Sequence, residues 1–205
     1  MRLQGALEKL LEELLAEWDR AEEAVKQAEF IQGEVVAPSI NELRYAGRKV
    51  VEALQFAAND DAERAQRLLN DAIFDCIRAR HDAVDAITAF ISMKLDALTE
   101  ELGVDVVLQC FPDMPKLVAA LGRAEEVIAT SREDRTNRDA IYETLRQTDL
   151  REIVDLYGAM KANEKLMQAR AEELALERQK ADRRFWWGLL IGMLGVLAGI
   201  AGWFL

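Results

Sequence analysis

The chain reads as an all-α protein, an antiparallel bundle of about five long helices carrying one apolar transmembrane helix at its C-terminal end, and three observations point there. Only three prolines and eleven glycines interrupt 205 residues. Apolar residues recur in steps of three and four along most of the chain, the spacing of one helix face. Residues 185–205, FWWGLLIGMLGVLAGIAGWFL, hold no charge, amide or hydroxyl.

The first helix is expected from about Arg2 to Gln32. Leu7, Leu11, Leu14, Trp18, Ala21, Val25 and Ala28 form a seam of the coiled-coil kind, and Leu3, Leu10 and Leu15 widen it into a stripe suited to a bundle. Gly33 and Pro38 end the segment. Ser39 stands three residues before Glu42, a capping box, so a second helix is expected from Ile40. Its inward face is Ile40, Leu43, Gly47, Val50, Leu54 and Ala57, with Gly47 allowing a close crossing. A turn follows at Asn59, Asp60 and Asp61, where Asp60 and Glu63 repeat the capping pattern.

Neither proline nor glycine occurs from Ala62 to Leu102, and Ala65, Leu69, Ala72, Cys76, Ala83, Ile87, Phe90 and Leu98 keep one face. That is one long helix. Gly103 can cap it, and residues 104–111 suit either a short buried helix or an extended connection. Asp113 and Pro115 restart the chain. Leu117, Leu121, Ala124 and Ile128 define an inner face that turns polar between Ser131 and Arg138 and resumes in phase at Tyr142 and Leu145, which predicts one helix crossing water midway. Asp149 and Glu152 make another capping pair. Ile153, Tyr157, Met160, Met167 and Leu174 then lead unbroken toward the apolar run. The expected domains are a cytosolic bundle at 1–149, a juxtamembrane stalk at 150–184 and a membrane helix at 185–205.

At helical rise the 21 residues of that run span about 31 Å, the thickness of a hydrocarbon core. Its ten Leu, Ile, Val and Phe residues contribute roughly −3 to −6 kcal/mol to insertion, partly offset by glycine. Trp186 and Trp187 at one end and Trp203 at the other suit the two headgroup boundaries. Lys180, Arg183 and Arg184 just precede the run, and basic flanks stay cytoplasmic. With nothing after Leu205 to cross, insertion is expected to follow synthesis, as in a single-pass tail anchor. Gly188, Gly192, Gly195, Gly199 and Gly202 step by four and three, a stripe without side chains along which a second copy can approach closely. A homo-oligomer is expected.

The formal net charge is −11 and no charge lies beyond Arg184, so the excess sits before the run and disfavours a nucleic-acid partner. The N-terminal stretch carries charges at helical spacing, unlike a signal peptide. Cys76 and Cys110 are too far apart for a zinc motif or a disulfide framework and are expected as reduced thiols. His81 is the sole histidine, which removes sites built on two imidazoles; it is read as a partly exposed helix residue. The arginine four to six residues before a histidine that small helical nucleases of the HEPN type carry is absent, and no Gly-x-Ser-x-Gly elbow or phosphate loop occurs. Glu12 with Glu13, Glu22 with Glu23, and Asp60 with Asp61 read as solvated faces. The layout invites comparison with Bcl-2 relatives, but there is no Asn-Trp-Gly-Arg.

No catalytic residue, metal or cofactor is expected. The function expected is a non-enzymatic interaction, scaffold or sensor module that presents a cytosolic bundle at a lipid bilayer and recruits a cytosolic protein partner. The alternative is a membrane-perturbing effector, antiviral or toxin-like, whose soluble part gates assembly of the apolar helices. A uniformly apolar helix weighs against a hydrated pore unless glycine backbone lines it.

Overall fold

The computed structural model describes residues 5–133 and 136–201, with side chains described only as far as Gly195. Seven helices and no strand occur among the described residues: α1 (Gly5–Gln32), α2 (Ala37–Ala58), α3 (Ala62–Leu102), α4 (Val104–Cys110), α5 (Met114–Ser131), α6 (Arg138–Gln147) and α7 (Asp149–Ala201). The chain is all-helical. It divides into two compact units, one of Met1–Asp96 with Pro115–Tyr157, the other of Ala97–Met114 with Gly158–Leu205.

In the first unit α1 buries Leu7, Leu14, Ala21, Val25 and Ala28 of the seam read from the sequence, while Leu11 and Trp18 of that seam are only half-buried. Leu15, expected to widen that stripe, is exposed instead, and Leu3 lies outside the described residues. A Cβ added at Gly47 would meet the Trp18 ring at 3.7 Å, an ordinary contact, so this meeting of α2 with α1 does not require glycine.

Three capping assignments are corrected. α2 begins at Ala37 with Pro38 in its first turn, and Ser39 is fully buried with no hydrogen bond at Oγ. Ser39, Leu43, Ala46 and Ala53 make the buried line of α2, so Ser39 is the first residue of the inner face and not its cap. Leu54, expected inward, is exposed. At the next turn it is Asp61 that accepts the Arg64 N–H, at 3.1 Å, while Asp60 takes the left-handed φ of 61°. Asp149 accepts from Arg123 Nε of α5 at 2.8 Å, and Glu152 accepts from Arg123 Nη2 at 2.8 Å, so this pair clamps two helices together.

The helix expected across 117–145 is two. Arg132 and Glu133 donate backbone bonds three residues back, to Ala129 and Thr130, which tightens and ends α5; Ser131 is buried and its hydroxyl donates to Ile128 O at 2.7 Å. Tyr142 and Leu145 return to the core from a separate helix.

In the second unit the 104–111 stretch is the short helix α4, burying Val106 and Val107. Gly103, at φ 86°, both closes α3 through its N–H to Thr99 O and opens α4 by accepting from Val106 and Val107 N–H. Only glycine takes that φ without strain. Arg170 of α7 donates to Gln109 of α4 at 3.3 Å, and Met160 and Met167 are buried. α7 is one continuous helix through Arg184 to Ala201. No helix among the described residues is long and apolar enough to cross a membrane. The described side chains of the apolar run stop at Gly195, partway along it.

Candidate functional site

Two parts of the molecule break the ordinary rules of burial, and each is built by one long helix. On α7 every residue from Ala175 to Gly195 is exposed. Up to Arg184 this segment is mostly charged and suits water. From Phe185 onward it is hydrocarbon: Trp186 is 63 % exposed, Trp187 62 %, Ile191 66 % and Leu194 59 %. Lys180, Arg183 and Arg184 occupy the last exposed turns before that change. Nothing lies within 4 Å of a Cβ built at Gly188, Gly192 or Gly195, so the first three members of the glycine stripe face open space. Gly199 falls where only the helical backbone is described, and Gly202 and Trp203 lie outside the described residues.

The second place is the middle of α3, which buries Asp75, Arg80, His81 and Thr88 among apolar neighbours. Removing such groups from water is tolerated only when each is paired. Arg80, 5 % exposed, reaches three carboxylates: Asp139 of α6 at 2.5 Å, Glu17 of α1 at 3.5 Å and Glu143 of α6 at 3.8 Å. Asp75 is held by Lys49 Nζ of α2 at 2.6 Å and by Arg78, which also approaches Glu42 at 3.3 Å. Thr88 donates to Val84 O.

His81 is 3 % exposed, which corrects its reading as a partly exposed residue. Its ring stacks on Tyr142 at 4.0 Å between centroids, and Nε2 lies 3.0 Å from Asp139 Oδ1. A carboxylate only accepts, so Nε2 carries the proton of the neutral ring. Burial pushes the imidazole pKa below its ordinary value; Asp139 opposes this and the Arg138 and Arg80 charges add to it. Burial alone would raise the Asp139 carboxyl, but the Arg80 charge and the bonds from His81 and Arg80 outweigh it and hold the group below the usual range. The Tyr142 hydroxyl donates to Asp85 at 2.7 Å, and burial with that bond raises its pKa. Beside this network the Cys76 thiol is pushed up to about 12 by burial, with Asp75 and Glu17 adding to it, so it is an inert thiol and no nucleophile.

No protein-family model, curated protein or solved structure matches the chain. Its chemistry therefore has to be read from its own side chains. Among the described residues no group of three or more His, Cys, Asp or Glu is arranged to hold a metal ion. The acidic pairs Glu12 with Glu13, Glu22 with Glu23, and Asp60 with Asp61 are all exposed.

The polar centre was missed from sequence, because the apolar series of α3 closes without it. The inner face of α3 steps 69, 72, 76, 83, 87, and the spacing between 76 and 83 is met equally by Ala79 and Arg80, both of them buried. With Ala79 completing the apolar series, the burial of Arg80 becomes visible only when Glu17, Asp139 and Glu143 are brought to it.

Proposed function

We propose that the chain is a membrane-anchored, non-enzymatic interaction module, with residues 185–205 lying in a bilayer and the preceding helical part in the cytosol, where it recruits a protein partner. One observation carries the reading: from Phe185 to Gly195 α7 presents hydrocarbon on every side, with no charge among it. Water-soluble chains seldom expose contiguous apolar patches of more than a few hundred Å². A lipid interior removes that mismatch. The basic cluster Lys180, Arg183 and Arg184 supports a cytosolic side for the helical part. The open faces at Gly188, Gly192 and Gly195 support close approach of a second copy, because helices in lipid associate by packing and not by the hydrophobic effect.

The test is extraction. The full chain should stay in the membrane pellet through alkaline carbonate, and a chain ended after Arg184 should move to the supernatant. A full chain that washes off would end the reading. In the same preparations, replacing Gly192, Gly195 and Gly199 with leucine should abolish cross-linked oligomers. Liposomes carrying the protein should hold their dye, whereas leakage would favour the membrane-perturbing alternative.

A further inference from the structure

An open cleft of about 560 Å³ lies over the polar centre in the first unit, between α2, α3 and the start of α6. Its volume is in the range of small-molecule sites. Lys49, Arg78 and Arg138 line it, with His81 and Asp139 beside them and Phe74 at its edge. We infer that this cleft binds a small phosphorylated molecule with a flat aromatic part, a mononucleotide being the simplest member of that class.

Charge is the first argument. The chain carries 37 acidic against 26 basic residues, yet in this lining three cations face two carboxylates, Asp71 and Asp139. Asp139 is already engaged by Arg80 and His81. Lys49 and Arg78 are held in place by the single buried carboxylate of Asp75, with Glu42 steadying Arg78, so one ammonium and one guanidinium are oriented before any ligand arrives. Preset donors bind a phosphate without the entropy of ordering long side chains.

Arg138 is the second argument. It is half-buried at the start of α6, lines the cleft, and its guanidinium carbon sits 5.5 Å from the Tyr142 ring centre. Guanidinium forks match phosphate geometry.

Phe74 supplies the third. It is 63 % exposed and lines a polar cleft, where an aromatic ligand could stack on it. Aromatic stacking of a base contributes about 1–3 kcal/mol, enough to distinguish a nucleotide from bare phosphate. The net charge of −11 disfavours a polyanion such as RNA, so a ligand small enough to feel only the local field fits best.

Calorimetric titration of the full chain in phosphatidylcholine nanodiscs tests the inference, with adenosine monophosphate, glycerol phosphate and inorganic phosphate as probes. Adenosine monophosphate should bind at one site, at least about fivefold more tightly than either of the others. Arg138→Gln should weaken all three by about tenfold or more, as loss of a charge-assisted bond does. Phe74→Ala, a surface change that leaves the core intact, should weaken adenosine monophosphate alone. No saturable binding at millimolar concentration would overturn the inference. So would glycerol phosphate binding as tightly as the nucleotide and indifferent to Phe74→Ala, which would assign the cleft to lipid headgroups. Unchanged binding in a folded Arg138→Gln protein would overturn it as well.

Discussion

α3 and α7 are the two longest helices, at 41 and 53 residues, and they meet opposite failures of the hydrophobic pattern. α3 carries charge and polarity into the interior, and α1, α2 and α6 each send a partner to meet it: Glu17, Lys49 and Asp139. α7 carries hydrocarbon out to the exterior, where no described residue covers it. Both mismatches are expensive, since an unpaired buried charge costs several kcal/mol and each large apolar side chain left in water forfeits about 1.5–3 kcal/mol. α3 is therefore satisfied by its own fold, whereas the apolar side chains of α7 from Phe185 to Gly195 have no cover among the described residues.

The sharpest way to break that comparison is Arg80→Ala. It leaves the carboxylates of Asp139, Glu17 and Glu143 facing one another across a cavity, so a loss of about 3–5 kcal/mol is expected. In a domain of this size that lowers the thermal midpoint by about 6–20 °C, readable by circular dichroism. A change of only about 2 °C would mean the guanidinium is solvated after all.

Leu194→Arg tests the other side. A charge near the centre of the run costs about 2.5–3.5 kcal/mol, comparable with the whole insertion margin. The protein should leave the membrane fraction while the melting of its helical part stays unchanged. Retention in the pellet would remove the run from the bilayer interior.

Acidification should separate the two regions. His81 has its pKa lowered by burial, with Asp139 opposing and Arg138 and Arg80 adding. A group whose pKa is lower folded than unfolded stabilises fully above its unfolded value, about 6.5, and that contribution is lost as pH falls through the folded value. Stability of the first unit should thus decline as pH drops below about 6.5, and His81→Gln should flatten this part of the decline. Asp139, held below the usual range because its cation contacts outweigh its burial, gives way only further down, below about pH 4. Parallel curves for both proteins between pH 7 and 5 would show that the imidazole is not responsible. Membrane retention should be indifferent to the same change between pH 7 and 5, because the apolar run carries no titratable side chain.

The smallest effect is expected at Ser39. As a cap its loss would cost about 0.5–2 kcal/mol. As a buried hydroxyl without a partner, its replacement in Ser39→Ala should leave the melting midpoint unchanged or slightly raised. A clear fall would restore the capping role.

Much of the fold was legible because helix is a local code. The ends of α3 at Ala62 and Leu102 fall where a turn of Asn and Asp and a glycine were read, and Met167 and Leu7 are buried as their spacing requires. Caps were less legible. Ser39, Asp60 and Asp149 each had the right residue type at the right interval, but capping depends on a backbone angle that the interval does not specify. The break between α5 and α6 was hidden because Tyr142 and Leu145 happen to return in phase, and periodicity cannot distinguish one helix from two in register.

By itself the sequence determined that the chain is helical and that its last 21 residues carry no charged, amide or hydroxyl side chain, because helix spacing and hydrocarbon content are properties of neighbours along the chain. Tertiary structure alone decided that buried Arg80 and His81 share the half-exposed carboxylate of Asp139. Asp139 lies 58 residues from His81, and charges that far apart acquire meaning only once folding removes the water between them.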